Sequence, residues 1–372
     1  MSPVMPLYLA SLRFPAVGIG LLFSIWGVGT ILFEPAIGIL ADKGRRGAMM
    51  YALCLGTCAL YVLFTLAGSF LAFAVLQFLL GGMFAGAAVL FRYAIPSVIS
   101  PDRPSAAYGL LGSAWSGAAT FGSLAGGFIL SASGYGLPFY LASTAAALAV
   151  APLWLSGLGR VAHRQISSSE EPDLSGGRRF ELALMGGMAM SAFLIFSVVV
   201  TMLPLVVSAA PFNSGPVGVG VLLAIFNGSL LLFQPVVGRV GASRPRTWMA
   251  VGLLTAIVSF LLLVGSKSMA TAFGSVILAG VAFSAISTHS LARFTTLVHA
   301  SRRGAAIGIY GAAEDVGVIA GPIVFSVIWT AASLDGALIA TSAVLLAVLL
   351  ACVLPMSLRT QRVIAAGQSR AG

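Results

Sequence analysis

Charge is scarce in this sequence. Only 8% of its 372 residues are Asp, Glu, Lys or Arg, where a soluble domain carries about 25%. With 59% apolar residues, that shortage excludes a water-soluble globular protein, and so apolar a chain is not disordered. Cysteine is scarce too. Cys54, Cys58 and Cys352 lie in apolar runs, imply no disulfide framework and read as small buried residues. The three histidines join no cluster of Cys, Asp or Glu, so no metal site and no metalloenzyme is expected. The run Gly265-Ser266-Lys267-Ser268 ends like a phosphate-binding loop, but Leu261 stands where the motif needs its first glycine. That removes an ATPase. No convergent catalytic set appears, so neither an enzyme nor a cofactor is expected.

What is present is a succession of long apolar runs, with polar punctuation between them. At about 20 residues per transmembrane helix, the length leaves room for roughly a dozen spans. The runs give eleven, at 15–41, 47–67, 70–98, 105–131, 135–158, 181–209, 215–239, 246–265, 269–297, 303–331 and 335–356. Their length and lack of strict alternation exclude β-barrel strands. The 44 glycines suit membrane helices that approach closely. An all-α polytopic membrane protein follows. One connection, 159–180, is long and polar, rich in Ser, Glu, Gly and Arg, and reads as a linker. It separates a bundle over 1–158 from one over 181–356, with a tail at 357–372.

The net charge of +10 raises the thought of nucleic acid until the basic residues are placed. Arg13 and Lys267 fall in one set of loops, and the other eighteen fall in the alternate set. By the positive-inside rule the second set is cytoplasmic, with the linker and the tail. Topology accounts for the charge, and no nucleic-acid partner is needed. The expected surroundings are a lipid bilayer, with the cytoplasmic membrane as the location.

The two halves resemble each other. Leu32-Phe33-Glu34-Pro35-Ala36-Ile37-Gly38 and Leu232-Phe233-Gln234-Pro235-Val236-Val237-Gly238 share Leu, Phe, Pro and Gly at an offset of 200. Leu90-Phe91-Arg92-Tyr93 answers to Leu291-Ala292-Arg293-Phe294 at 201, and Ala106-Ala107-Tyr108-Gly109 to Ala305-Ala306-Ile307-Gly308 at 199. The order and near-constant offset indicate parallel repeats of six helices related by an axis along the membrane normal. On that reading the span at 181–209 has a counterpart of which residues 1–12 are the outer end, so the architecture is 6+6 with eleven full spans and an N-terminal stub.

This organisation resembles the major facilitator superfamily of transporters, some members of which are antiporters. The family's loop signature reads here Gly38-Ile39-Leu40-Ala41-Asp42-Lys43-Gly44-Arg45-Arg46, one residue shorter than usual before the second Gly. The second copy, from Gly238, lacks the Asp. The antiporter signature of helix 5 reads Gly122-Ser123-Leu124-Ala125-Gly126-Gly127, with Ser for Pro, and helix 11 carries Gly317, Gly321 and Pro322. These glycines are expected to pack helices. The resemblance implies secondary transport of a small organic solute by alternating access, with Gly38, Asp42, Lys43, Arg45, Arg46 and Arg92 as a conformational latch. It also places Gln77 where the family usually has a coupling Arg.

Acids within spans are the sharpest clue, because a charge at bilayer depth costs about 2.5–3.5 kcal/mol. Glu34 lies ~12 Å up its helix from Asp42, and Glu314 and Asp315 lie ~16 Å into theirs. All three are candidates to load and release protons. Neighbours on a helix point about 100° apart, so Glu314 and Asp315 are not expected to face the cavity equally. Further cavity candidates are Trp26, Gln77, Trp115, Asn227, Gln234, Thr288, His289 and Tyr310. The expected function is proton-coupled efflux by a monomer, with proton-coupled or facilitated uptake as the alternative. A non-transporting sensor would need a signalling module that the linker and tail do not contain.

Overall fold

The computed structural model describes residues 4–42, 46–98, 104–155, 176–209, 211–298 and 303–353. Among them there are helices and no strands. In chain order they are α1 (Val4–Ser11), α2 (Ala16–Asp42), α3 (Arg46–Leu66), α4 (Phe70–Val98), α5 (Pro104–Ser133), α6 (Gly136–Leu148), α7 (Val150–Leu155), α8 (Gly176–Ser197), α9 (Leu203–Ser208), α10 (Pro216–Val240), α11 (Pro245–Leu261), α12 (Met269–Leu297), α13 (Arg303–Ala331) and α14 (Leu334–Val348). A wide π turn over Val198–Met202 joins α8 to α9, and another, Leu349–Val353, extends α14. Nine helical segments among the described residues are long and apolar enough to cross a membrane. The 30-residue α5 is built largely of Gly, Ala and Ser. Of the linker expected at 159–180, residues 176–180 belong to α8; residues 156–175 and the tail at 357–372 lie outside the described residues.

Water is absent from the bilayer core, so the backbone must satisfy its own hydrogen bonds, which long helices do. Pro35, Pro235 and Pro322 lie inside α2, α10 and α13, where packing against neighbours tolerates the missing donors. The π-linked segment of α8 and α9 is largely apolar and buried on all sides. Val198, Val199, Val200, Met202 and Leu203 are all buried, as a helix surrounded by others requires. Polar links close the ends. Glu181 at the start of α8 accepts from Arg293 of α12 at 2.8 Å and lies 3.5 Å from Arg246 of α11. At the opposite end of the chain's first helices, Tyr8 of α1 packs against Phe73 and Phe139.

The most extensive helix pairings are α5 with α10 and α2 with α13. Each is a crossing at which backbone meets backbone. A Cβ at Gly109 would stand 2.8 Å from the Gln234 carbonyl, and one at Gly308 would stand 3.1 Å from the Glu34 carbonyl. Further along, Gly127 and Gly220 face each other with 3.0 Å between a built Cβ and the opposite Cα, and Gly20 lies against Pro322 at 3.0 Å from its carbonyl. Side chains larger than hydrogen would hold these helices apart.

Candidate functional site

Two adjoining cavities lie where these crossings leave space. The larger, about 360 Å³, is lined almost wholly by apolar and aromatic groups and includes Met5, Gln77, Trp26, Trp115 and Asn227. The smaller, about 140 Å³, holds Glu34, Arg92, Glu314, Asp315, Gln234 and Thr288. Trp26, Phe84, Trp115 and Asn227 line both, so the two share a wall.

The charged wall is assembled from three helices. Arg92, near the end of α4, donates from Nη2 to Glu314 Oε2 of α13 at 2.6 Å. The two residues are 222 apart in the chain, and Glu314 is 4% exposed. One residue on, Asp315 turns toward α2 and lines the cavity beside Thr30. Thr30 in turn donates to the Gly27 carbonyl at 2.7 Å. Glu34, one helical turn past Thr30 on α2, lays its carboxyl against Gly311, one turn before Asp315 on α13. Glu34 and Asp315 are 4% and 5% exposed. Glu34 Oε2 and Asp315 Oδ2 have no hydrogen-bond partner among the described residues. Glu314 and Asp315 thus both line the cavity, but unequally: one is held by a guanidinium and the other keeps a free oxygen.

The aromatic wall faces this cluster. Trp26 and Phe84 meet edge to face with centroids 5.0 Å apart, and Phe84 and Trp115 do so at 4.7 Å. Asn227 of α10 spends its amide on the Leu223 carbonyl of its own helix at 2.8 Å. Gln234 places its side chain against Gly112 of α5, in the manner of Glu34 against Gly311.

Several expectations shift. Arg92, expected in a latch with the loop after α2, donates from Nη2 to Glu314 where the end of α4 lies beside the middle of α13, and its Nη1 has no hydrogen-bond partner among the described residues. The side chains of Asp42 and Arg46, and the whole of Lys43 and Arg45, lie outside the described residues; Gly38 is buried in α2. Tyr310 and His289 line neither cavity. Tyr310 turns to α12, where its hydroxyl meets Ser290 Oγ at 2.7 Å and its ring meets Phe294 at 4.9 Å. His289 is 1% exposed, wedged beside Gly241 and away from both cavities. Among the expected packing glycines, Gly127, Gly317 and Gly321 do meet neighbouring backbone, and Gly126 is buried. Gly122 does not: nothing lies within 4 Å of where its Cβ would stand, because it sits on the exposed side of α5. Sequence reasoning missed Thr30, Phe84, Gly112 and Gly311. The last two are 199 apart, so the repeat carried a signal for them.

Comparison with known proteins agrees with this architecture. A family profile described as Major Facilitator Superfamily matches residues 1–206 and again residues 185–370. No curated protein matches the sequence significantly. Among solved structures, the chain resembles the human organic anion transporter MFSD10 (TETRAN), with a TM-score of 0.71 and 19% identity over 89% of this chain and 82% of that one. It also resembles a bacterial homolog of the human lysosomal transporter Spinster, solved inward-facing and unoccupied, with a TM-score of 0.67 and 17% identity over 95% of this chain and 89% of that one. At these identities the likeness is one of fold. The family profile, matched along the whole length of a helical membrane chain, makes this protein a member of the Major Facilitator Superfamily, a transporter and not an enzyme.

Proposed function

We propose that this chain carries out proton-coupled efflux of a small organic solute across the cytoplasmic membrane by alternating access. The observation that carries the reading is the pair of buried carboxyls, Glu34 and Asp315, each with an oxygen lacking a hydrogen-bond partner among the described residues. A carboxylate so placed is costly unless it meets a proton or a cation. Glu34 and Asp315 are therefore the coupling groups, while Glu314 serves to hold Arg92. The membrane potential supplies about 2.3 kcal/mol per charge per 100 mV, which drives accumulation without ATP.

The moving parts in this reading are two parallel halves, 1–158 and 181–356, joined by a cytoplasmic linker. Its support is the way the crossings repeat. Gly109 meets the Gln234 carbonyl as Gly308 meets that of Glu34, and Gly220 meets Ser123 and Gly127 as Gly20 meets Pro322 and Ser326. Each pair is displaced by 199 or 200 residues. The halves then rock about the cavity, with the Asp42 loop and its basic neighbours latching one end. A monomer contains the whole cavity.

Reconstitution in proteoliposomes tests the mechanism. An imposed pH gradient should drive uphill solute movement, and a protonophore should abolish it. Glu34→Gln and Asp315→Asn should each uncouple movement from the gradient. Movement indifferent to the protonophore and to both substitutions would leave a facilitator. A gradient that drives solute only in the opposite direction would make the protein an importer.

A further inference from the structure

We propose that the cavity between α2, α4, α5 and α13 binds a lipophilic monovalent organic cation, whose charge Glu34 and Asp315 neutralise and whose apolar body rests on Trp26, Phe84 and Trp115. The inference builds on the transport reading and names the chemical class of its substrate.

Charge decides first. Three carboxyls and one guanidinium line the smaller cavity. The guanidinium holds Glu314 through Nη2 at 2.6 Å, and although its Nη1 has no hydrogen-bond partner among the described residues, its one positive charge offsets only one of the three carboxyls. The remaining two carboxyls are more than nine-tenths buried, and each presents an oxygen without a hydrogen-bond partner among the described residues. Two buried carboxyls on facing helices that line one cavity repel when both are ionised, and a single positive charge between them relieves that repulsion. An organic anion meets the same carboxyls as like charges, and a neutral solute leaves them unpaired.

The remainder of the cavity decides what sort of cation. Its other wall is aromatic, with Phe84 seated edge-to-face between the two Trp rings. Aromatic faces carry partial negative charge and attract a weakly hydrated cation at short range. The adjoining larger space is almost entirely apolar, which does not compensate a small hydrated ion for its lost water. Among the described residues no group of three His, Cys, Asp or Glu is placed to hold a metal. A charge wrapped in aromatic or aliphatic groups fits both walls.

Tetraphenylphosphonium and tetraphenylborate have nearly the same shape and opposite charge, and so isolate the electrostatic claim. Binding of each to the full chain in lipid nanodiscs is measured by calorimetry, with empty nanodiscs subtracted. The phosphonium should bind at least about tenfold more tightly than the borate. Glu34→Gln and Asp315→Asn should each weaken the phosphonium by about tenfold or more, and Asp315→Glu should retain it. Asp335→Asn, which removes a carboxylate outside the cavity, should change nothing. Thermal midpoints of the variants establish that they are folded. Equal or tighter binding of the borate overturns the proposal, as does phosphonium binding indifferent to both cavity substitutions in folded protein. Proteoliposome flux separates the two readings. Phosphonium that binds through Glu34 and Asp315 but is never moved defeats the transport mechanism and leaves the site. Movement confined to anions or neutral solutes defeats the substrate class and leaves transport.

Discussion

Arg92 and Glu314 each make the other tolerable inside the bundle. A guanidinium at that depth without its carboxylate is an unpaired buried charge, and so is the carboxylate without the guanidinium. Removing one partner of such a pair typically costs about 3–5 kcal/mol, whereas replacing both with apolar groups of similar volume is often neutral. Arg92→Met and Glu314→Met should therefore each lower the thermal midpoint of purified protein markedly. The double variant should recover most of the loss. A double variant as unstable as the sum of the singles would mean that the two side chains do not compensate each other. Asp315 differs, since its neighbour is a neutral hydroxyl. Asp315→Asn removes a buried carboxylate that has no paired cation and should leave the midpoint no lower than the parent's. On the proposed mechanism, stability and coupling thus separate between two adjacent residues.

At the scale of the helix, small residues matter by the face they occupy. Gly127 of α5 meets the Pro216 carbonyl and the Gly220 Cα of α10, and Gly317 of α13 meets the Met190 carbonyl of α8. Gly122, on the exposed side of α5, meets nothing. Gly127→Ala and Gly317→Ala should each cost about 1–3 kcal/mol by overpacking, while Gly122→Ala should be neutral or gain up to about 1 kcal/mol from helix propensity. Thermal unfolding of the three variants checks the order, and a loss at Gly122 equal to that at Gly127 would contradict the crossing geometry. The contrast shows where sequence reading stops. The run at 70–98 becomes α4 and that at 269–297 becomes α12, because span length is fixed by membrane thickness and is written in composition. Partner choice is not written there. Nothing local says that Arg92 reaches across 222 residues to Glu314, or that Tyr310, on the same helical face as Glu314, turns to Ser290. A face one turn wide borders two neighbours, and only packing decides between them. Gly122 and Gly127 belong to one motif, but five positions on a helix of 3.6 residues per turn bring a residue to a different side.

For the molecule as a whole, the two glycine-lined crossings sit at different heights along the same helix pairs. Gly127 faces Gly220 near the end of α5 and the start of α10, and Gly109 faces Gln234 near their other ends. If the halves rock, closure at one height opposes closure at the other, and bulk inserted at one crossing wedges that end apart. Gly127→Val should thus favour the state open at its own end, and Gly109→Val the state open at the opposite end. Spin-label distances between α5 and α10, measured by pulsed electron resonance at both ends, should shift in opposite senses in the two variants. Each variant should slow transport, since alternating access needs both closures. The effect follows from equilibrium arithmetic: a wedge worth about 2.8 kcal/mol changes the ratio of the two states about a hundredfold. Distances that lengthen together at both ends would instead describe halves that part as a loosened bundle, with no fulcrum at the cavity. That outcome would remove alternating access while leaving the carboxyl-lined cavity intact. The opposed shift is what a cavity set between two crossings, with Glu34 and Asp315 at the pivot, requires.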